Sequence, residues 1–119
     1  MTTLAEHRRG DTFIYSFTLG NGWVGSDFTG GVKWTLREYE VESSVLDDTD
    51  ASEQASVAGG EITFVGAIGT ITIPASRTTR WPTGSLRWDL QGVVDGATPL
   101  VYTIDYGRLP VRGDITRSI

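Results

Sequence analysis

Apolar and polar residues alternate with a period of two along most of the chain, the pattern of strands that bury one face. Leu86, Trp88 and Leu90 alternate with Ser85, Arg87 and Asp89, and further on Tyr102, Ile104 and Tyr106 alternate with Val101, Thr103 and Asp105. An Asp95-Gly96 turn signal lies between the two runs. It predicts an antiparallel hairpin of residues 85–91 with 100–106, the last strand continuing through Leu109 and Val111. Upstream, Phe13, Tyr15, Phe17 and Leu19 share one face of a first strand. Val32, Trp34 and Leu36 form the apolar set of the next, and the phase then slips to Tyr39 and Val41, which predicts a β-bulge near Arg37-Glu38. Two short strands, 61–65 and 69–73, flank Gly66-Ala67-Ile68 as a second hairpin, and Pro74 ends it.

Between these runs the period fails. Residues 1–10 are charged and read as an extended arm of the kind that docks on a neighbour. Gly20 to Gly31 form a glycine-rich loop weighted by Trp23 and Phe28. Residues 43–60, polar and acidic, read as the longest loop, with a helical turn over 50–57. About seven strands with frequent turns predict an all-β domain, an immunoglobulin-like antiparallel β-sandwich, with a small β-barrel as the alternative. The arm occupies 1–10, the sandwich 11–112 and a tail 113–119.

Composition narrows the function. A chain of 119 residues is one domain, large enough to bury a core, and the absence of cysteine removes disulfides, thiolate nucleophiles and Cys-based zinc sites. Fifteen acidic residues against ten basic ones, a net charge of -5, argue against nucleic acid as a partner. The polar N-terminus lacks the apolar run of a signal peptide and no window has the length of a membrane span, so a soluble protein made in the cytosol, without a membrane partner, is expected.

Candidate chemistry is sparse. The single histidine, His7, lies in the arm, so a nucleophile–histidine pair has no rigid element to hold it. Asp47, Asp48, Asp50 and Glu53 could share a hard cation, but lack the spacing of a calcium loop and read as a solvated acidic loop. Asp89 and Asp105 could face one another across the hairpin as paired carboxylates; ion pairs with Arg87, Arg108 and Arg112 are the simpler account. Two Arg-Gly-Asp triplets, at Arg9 and Arg112, flank the domain instead of tipping a loop, which argues against an adhesion motif. Trp34 and Trp88 fall in phase with the core, whereas Trp23 and Trp81 fall in loops, as lids or as interface anchors. No catalytic, cofactor or metal residue is assigned.

Three stretches together carry a resemblance. They are Arg9-Gly10-Asp11-Thr12-Phe13 before an aromatic strand, Thr78-Thr79-Arg80-Trp81-Pro82-Thr83-Gly84 before Leu86-Arg87-Trp88-Asp89-Leu90-Gln91, and Gly107-Arg108-Leu109-Pro110-Val111 followed by Asp114-Ile115-Thr116-Arg117. The pattern resembles small virion proteins of tailed bacteriophages, in particular the immunoglobulin-like N-terminal domain of phage baseplate upper proteins. The Gly20 to Gly31 loop and residues 43–60 have no counterpart in it. The resemblance implies a non-enzymatic subunit of the virion, a minor structural, decoration or adaptor protein on head, tail or baseplate. It implies docking on capsid, tail or baseplate subunits, in several copies or as a homo-oligomer, after synthesis in the host cytoplasm. The residues expected to make those contacts are Arg8, Arg9, Trp23, Phe28, Trp81 and the tail Asp114, Ile115, Thr116, Arg117, Ser118 and Ile119. The alternative is a carbohydrate-binding sandwich presenting Trp23 and Trp81 to host-surface glycan.

Overall fold

A computed structural model of the chain describes residues 2–38 and 51–113. In chain order it contains β1 (Thr2–Thr3), β2 (His7–Arg8), β3 (Phe13–Thr18), a 3-10 turn at Gly25–Asp27 and β4 (Gly31–Arg37). These are followed by β5 (Ala51–Ser56), β6 (Ile62–Val65), β7 (Ile68–Ile73), the single-turn helix α1 (Ala75–Thr78), β8 (Gly84–Val94) and β9 (Leu100–Arg112). The larger sheet has the order β1-β9-β8-β4-β5, with β2 also paired to β9, and the smaller has the order β3-β7-β6. The fold is all-β, and the two sheets pack as a sandwich. They remain separate among the described residues, which sets the barrel alternative aside.

The alternation seen in the sequence builds the core. Phe13 and Phe17 of β3, Ile62 of β6 and Ile71 and Ile73 of β7 meet Val32, Trp34 and Leu36 of β4, Leu86, Trp88 and Leu90 of β8, and Leu109 and Val111 of β9. Phe13 stacks on Trp34 with ring centroids 5.2 Å apart, and Tyr15 meets Trp88 edge-on at 5.7 Å. Burying each such side chain contributes about 1.5–3 kcal/mol.

Four differences from the expected pattern have physical causes. Residues 51–56 form a strand, where a helical turn inside a loop is expected; residues 43–50 lie outside the described residues. This segment has no β-branched residue and is held by tertiary contacts. Glu53 pairs with Leu36, an inward-facing position of β4. Its carboxylate accepts 2.6 Å and 3.1 Å hydrogen bonds from Arg77 Nη2 and Trp81 Nε1, while Arg77 Nη1 donates to Glu61 at 2.7 Å. The second difference is α1 itself, which brings Arg77 to this network as the chain turns after Pro74.

The third lies in β9. Leu90 pairs with Asp105 but Gln91 with Thr103, so Ile104 is an extra residue and the phase changes there. Tyr102, opposite Gly92, keeps the inner face, whereas Tyr106, opposite Asp89, points outward and is exposed. The slip also puts Asp89 and Asp105 on opposite faces of the sheet, so the two carboxylates do not pair. The register of β4 against β5 shifts between Leu36 and Arg37, close to the expected bulge; Tyr39 and Val41 lie outside the described residues.

Finally, the arm docks on its own domain. β1 and β2 pair in parallel with β9, Thr2 with Gly107 and His7 with Val111, and Arg112 bonds Glu6 at 2.8 Å. The close approach depends on Gly107, where a Cβ would collide with the Thr2 carbonyl. Gly107→Ala is expected to lift the arm, bringing exchange of the Leu4 and Arg9 amides toward unprotected rates while β3–β7 amides keep theirs. Arg77→Met strands Glu53 and Glu61. A fully buried pair broken on one side costs about 3–5 kcal/mol. With Arg77 about a third exposed, a loss of roughly 2 kcal/mol in urea unfolding is expected.

Candidate docking surfaces

The sandwich has two unlike ends. At one, β8 and β9 run past the smaller sheet, being 11 and 13 residues long against 6 for β3 and β7. The inner face of the hairpin is uncovered there, and the loop after β3 folds back over it. Trp23 stacks on Phe28 at 5.0 Å with an interplanar angle of 18°. Phe28 is buried against Gly92 of β8, where any Cβ would run into its ring. Tyr102 of β9 leans over both rings, 5.6 Å from Trp23 and 6.4 Å from Phe28. The Gly25 N–H donates to the Gly66 carbonyl at 3.0 Å, tying this aromatic end to the β6–β7 turn.

The outer face of the smaller sheet continues from that turn. Register places Ile14, Ser16 and Thr18 of β3, Thr72, Thr70 and Ile68 of β7, and Thr63 and Val65 of β6 on it. None of the eight is charged. Of the nine large apolar side chains that stay exposed among the described residues, Ile14, Val24, Val65, Ile68, Leu100 and Tyr102 lie on this face or at the aromatic end beside it. Val101 sits at the same end on the other side of the hairpin. Such a continuous apolar and hydroxyl surface is the kind that another protein covers. Of the two aspartates at this end, Asp27 turns its carboxylate to a local hydrogen bond, whereas Asp95, an exposed residue, is held through its main-chain N–H. The Val24 N–H donates to Asp27 Oδ2 at 2.8 Å, and the Asp95 N–H donates to Thr29 at 2.9 Å.

The opposite end holds the arm. His7 packs edge-on against Phe13 at 5.3 Å and tilted against Trp81 at 5.4 Å, with Nε2 3.1 Å from the Asp11 carbonyl. Burial holds the His7 imidazole below its ordinary value of 6.5, outweighing the carbonyl contact and the charge of Asp11, which act to raise it. Hydrogen bonding to Arg77 holds the Glu61 carboxyl below its ordinary range, and burial followed by the charge of Asp105 raises the Tyr15 phenol.

The residues expected to make contacts are distributed unevenly over these ends. Trp81 is wholly buried among Phe13, Trp34 and His7, and its carbonyl is 3.5 Å from Arg9 Nη1. It offers a partner no surface, so it is a core residue. Phe28 is likewise buried and forms the floor under Trp23, which is half-buried. Arg8 is exposed beside Arg112, and Arg9 is half-buried. The tail Asp114 to Ile119 lies outside the described residues, as do Asp47, Asp48 and Asp50, while Glu53 is engaged by Arg77 and Trp81. Leu100, Val101, Tyr102, Val65 and Ile68 were not anticipated. The signal that could have found them is the mismatch in strand length, since a hairpin longer than its opposing sheet leaves inner-face residues uncovered.

No family model, curated protein or solved structure matches the chain.

The neutral imidazole is the form the fold favours, so the His7 contribution to stability is complete above pH 6.5 and declines as pH falls below it toward the folded value. Urea unfolding at pH 7.5 and 5.5 is expected to show a smaller loss on acidification for His7→Phe than for the wild type. Equal losses would mean that His7 does not set this part of the pH dependence.

Proposed function

We propose that the protein is a non-enzymatic structural subunit of a tailed-phage virion, acting as a minor, decoration or adaptor protein by docking on other virion proteins. The observation that carries the docking part is the apolar and hydroxyl surface that runs from the outer face of β3-β7-β6, where register places no charged residue, to the Trp23–Tyr102 end. Its exposed apolar side chains are gathered on one side of the molecule, and multivalent attachment to a symmetric particle makes contacts of this modest size effectively permanent. The phage assignment rests on the sequence resemblance. The glycan-binding alternative is weakened by the burial of Trp81 and by the stacking of one face of Trp23 on Phe28.

Purified particles of the phage encoding this chain are expected to contain it at a fixed copy number by quantitative mass spectrometry. Leu100→Asp with Val65→Asp alters exposed side chains, so it should leave the circular dichroism and urea midpoint nearly unchanged and reduce incorporation at least about tenfold. Particles lacking the wild-type protein would overturn the virion assignment. Normal incorporation of the folded double variant would overturn the role of this surface.

A further inference from the structure

A groove of about 470 Å³ separates the arm, at residues 3–7, from the start of β3, at residues 12–15. It adjoins the outer face of the smaller sheet at Ile14, and both of its walls are strand edges. Among the described residues β3 pairs only with β7, and the arm strands pair only with β9. No main-chain hydrogen bond crosses the groove among the described residues. Open edges are ordinarily guarded by charge, proline, bulges or brevity. β3 has none of these guards: it reads Phe-Ile-Tyr-Ser-Phe-Thr, in unbroken register with β7. The other edge of its sheet, β6, is four residues long, and the far edge of the larger sheet, β5, carries Glu53.

The arm contributes to the groove by standing away from β9 at this point. Thr3 pairs with Arg108 and His7 with Val111, so Leu4, Ala5 and Glu6 span the same interval as Leu109 and Pro110. The extra residue bulges where Pro110 has no N–H to give.

We propose that this groove receives one extended segment of a partner polypeptide, which adds to the edge of β3 by main-chain hydrogen bonds. Two facing edges admit a single chain whose own edges are both free. The β3 edge of a second copy does not qualify, because its opposite edge is held by β7. Side-chain chemistry is fixed by the walls. Residues pointing inward meet Leu4, Phe13 and Tyr15, and residues pointing outward lie beside Thr12 and Ile14. Glu6, the carboxylate in the lining, is already paired with Arg112 at 2.8 Å. The central part of the segment is therefore uncharged and apolar at alternate positions. Its length matches residues 12–15, about 13 Å at 3.3 Å per residue. The inference is independent of the proposed function, since it holds or fails whatever particle the protein belongs to.

Amide hydrogen exchange by NMR tests it, with a capped hexapeptide alternating Val and Thr as the probe at millimolar concentration. Alternate amides of β3 between residues 12 and 16 are expected to slow at least about tenfold, together with amides of residues 4–6, while the open edge of β6 stays unchanged. Ala5→Trp fills the groove from the arm side, and Ile14→Lys puts a guarding charge on an exposed side chain. Either variant should abolish the slowing while leaving the urea midpoint nearly unchanged. No slowing at β3, equal slowing at β6, or undiminished slowing in both folded variants would each overturn the proposal.

Discussion

The carboxylate of Glu53 is the point on which this fold depends. It is drawn inward opposite Leu36, at a position where an unpaired charge would be prohibitively costly, and it is met there by the Arg77 guanidinium and the Trp81 indole N–H. One set of hydrogen bonds thereby joins three things that local sequence leaves loose: an edge strand with poor strand propensity, a helix of one turn, and the corner that seats Trp81. Glu61, bonded to the other side of Arg77 and to the Ser56 N–H, extends the same clamp across the turn between β5 and β6. The aromatic core from Phe13 through Trp34 to Trp88 is packed beneath it.

The parts of the fold that were legible in the sequence are those where hydrophobic period alone decides. β3, β6, β7 and β8 bury every second side chain, β4 does so with Thr35 buried in addition, and their apolar sets are the core. β5 was illegible because Ala-Ser-Glu-Gln-Ala-Ser has no such period, and its strand character comes from Arg77 and Trp81, distant in sequence. The inverted half of β9 was only partly legible, for a different reason. Tyr102, Ile104 and Tyr106 alternate in one phase and Leu109 and Val111 in the other, so a slip can be read between them, but only the pairing with β8 places the surplus residue at Ile104 and turns Tyr106 outward.

The docking surface was legible only in part. A loop tryptophan reads as an interface anchor because nothing in a loop sequence predicts burial, and Trp23 and Trp81 look alike on that basis. They separate in the fold because Trp81 has a buried acceptor for its N–H in Glu53 and a ring of aromatic neighbours, whereas Trp23 rests on Phe28 at an end that no second sheet covers. Tyr102 has the phase of an inner-face residue; what it lacks is an opposing strand.

The parallel pairing of the arm with β9 also fixes how the domain carries load. Residues 2–8 run in the same direction as residues 107–112, so tension applied between Thr2 and Gly113 pulls the two strands past one another along their length. The hydrogen bonds between them, including Leu4 to Arg108 and Arg9 to Arg112, are then strained together and must yield as a group instead of opening one after another from an end. Under traction the arm behaves as a mechanical clamp, and the yield force of the domain is set at this seam before the core is disturbed.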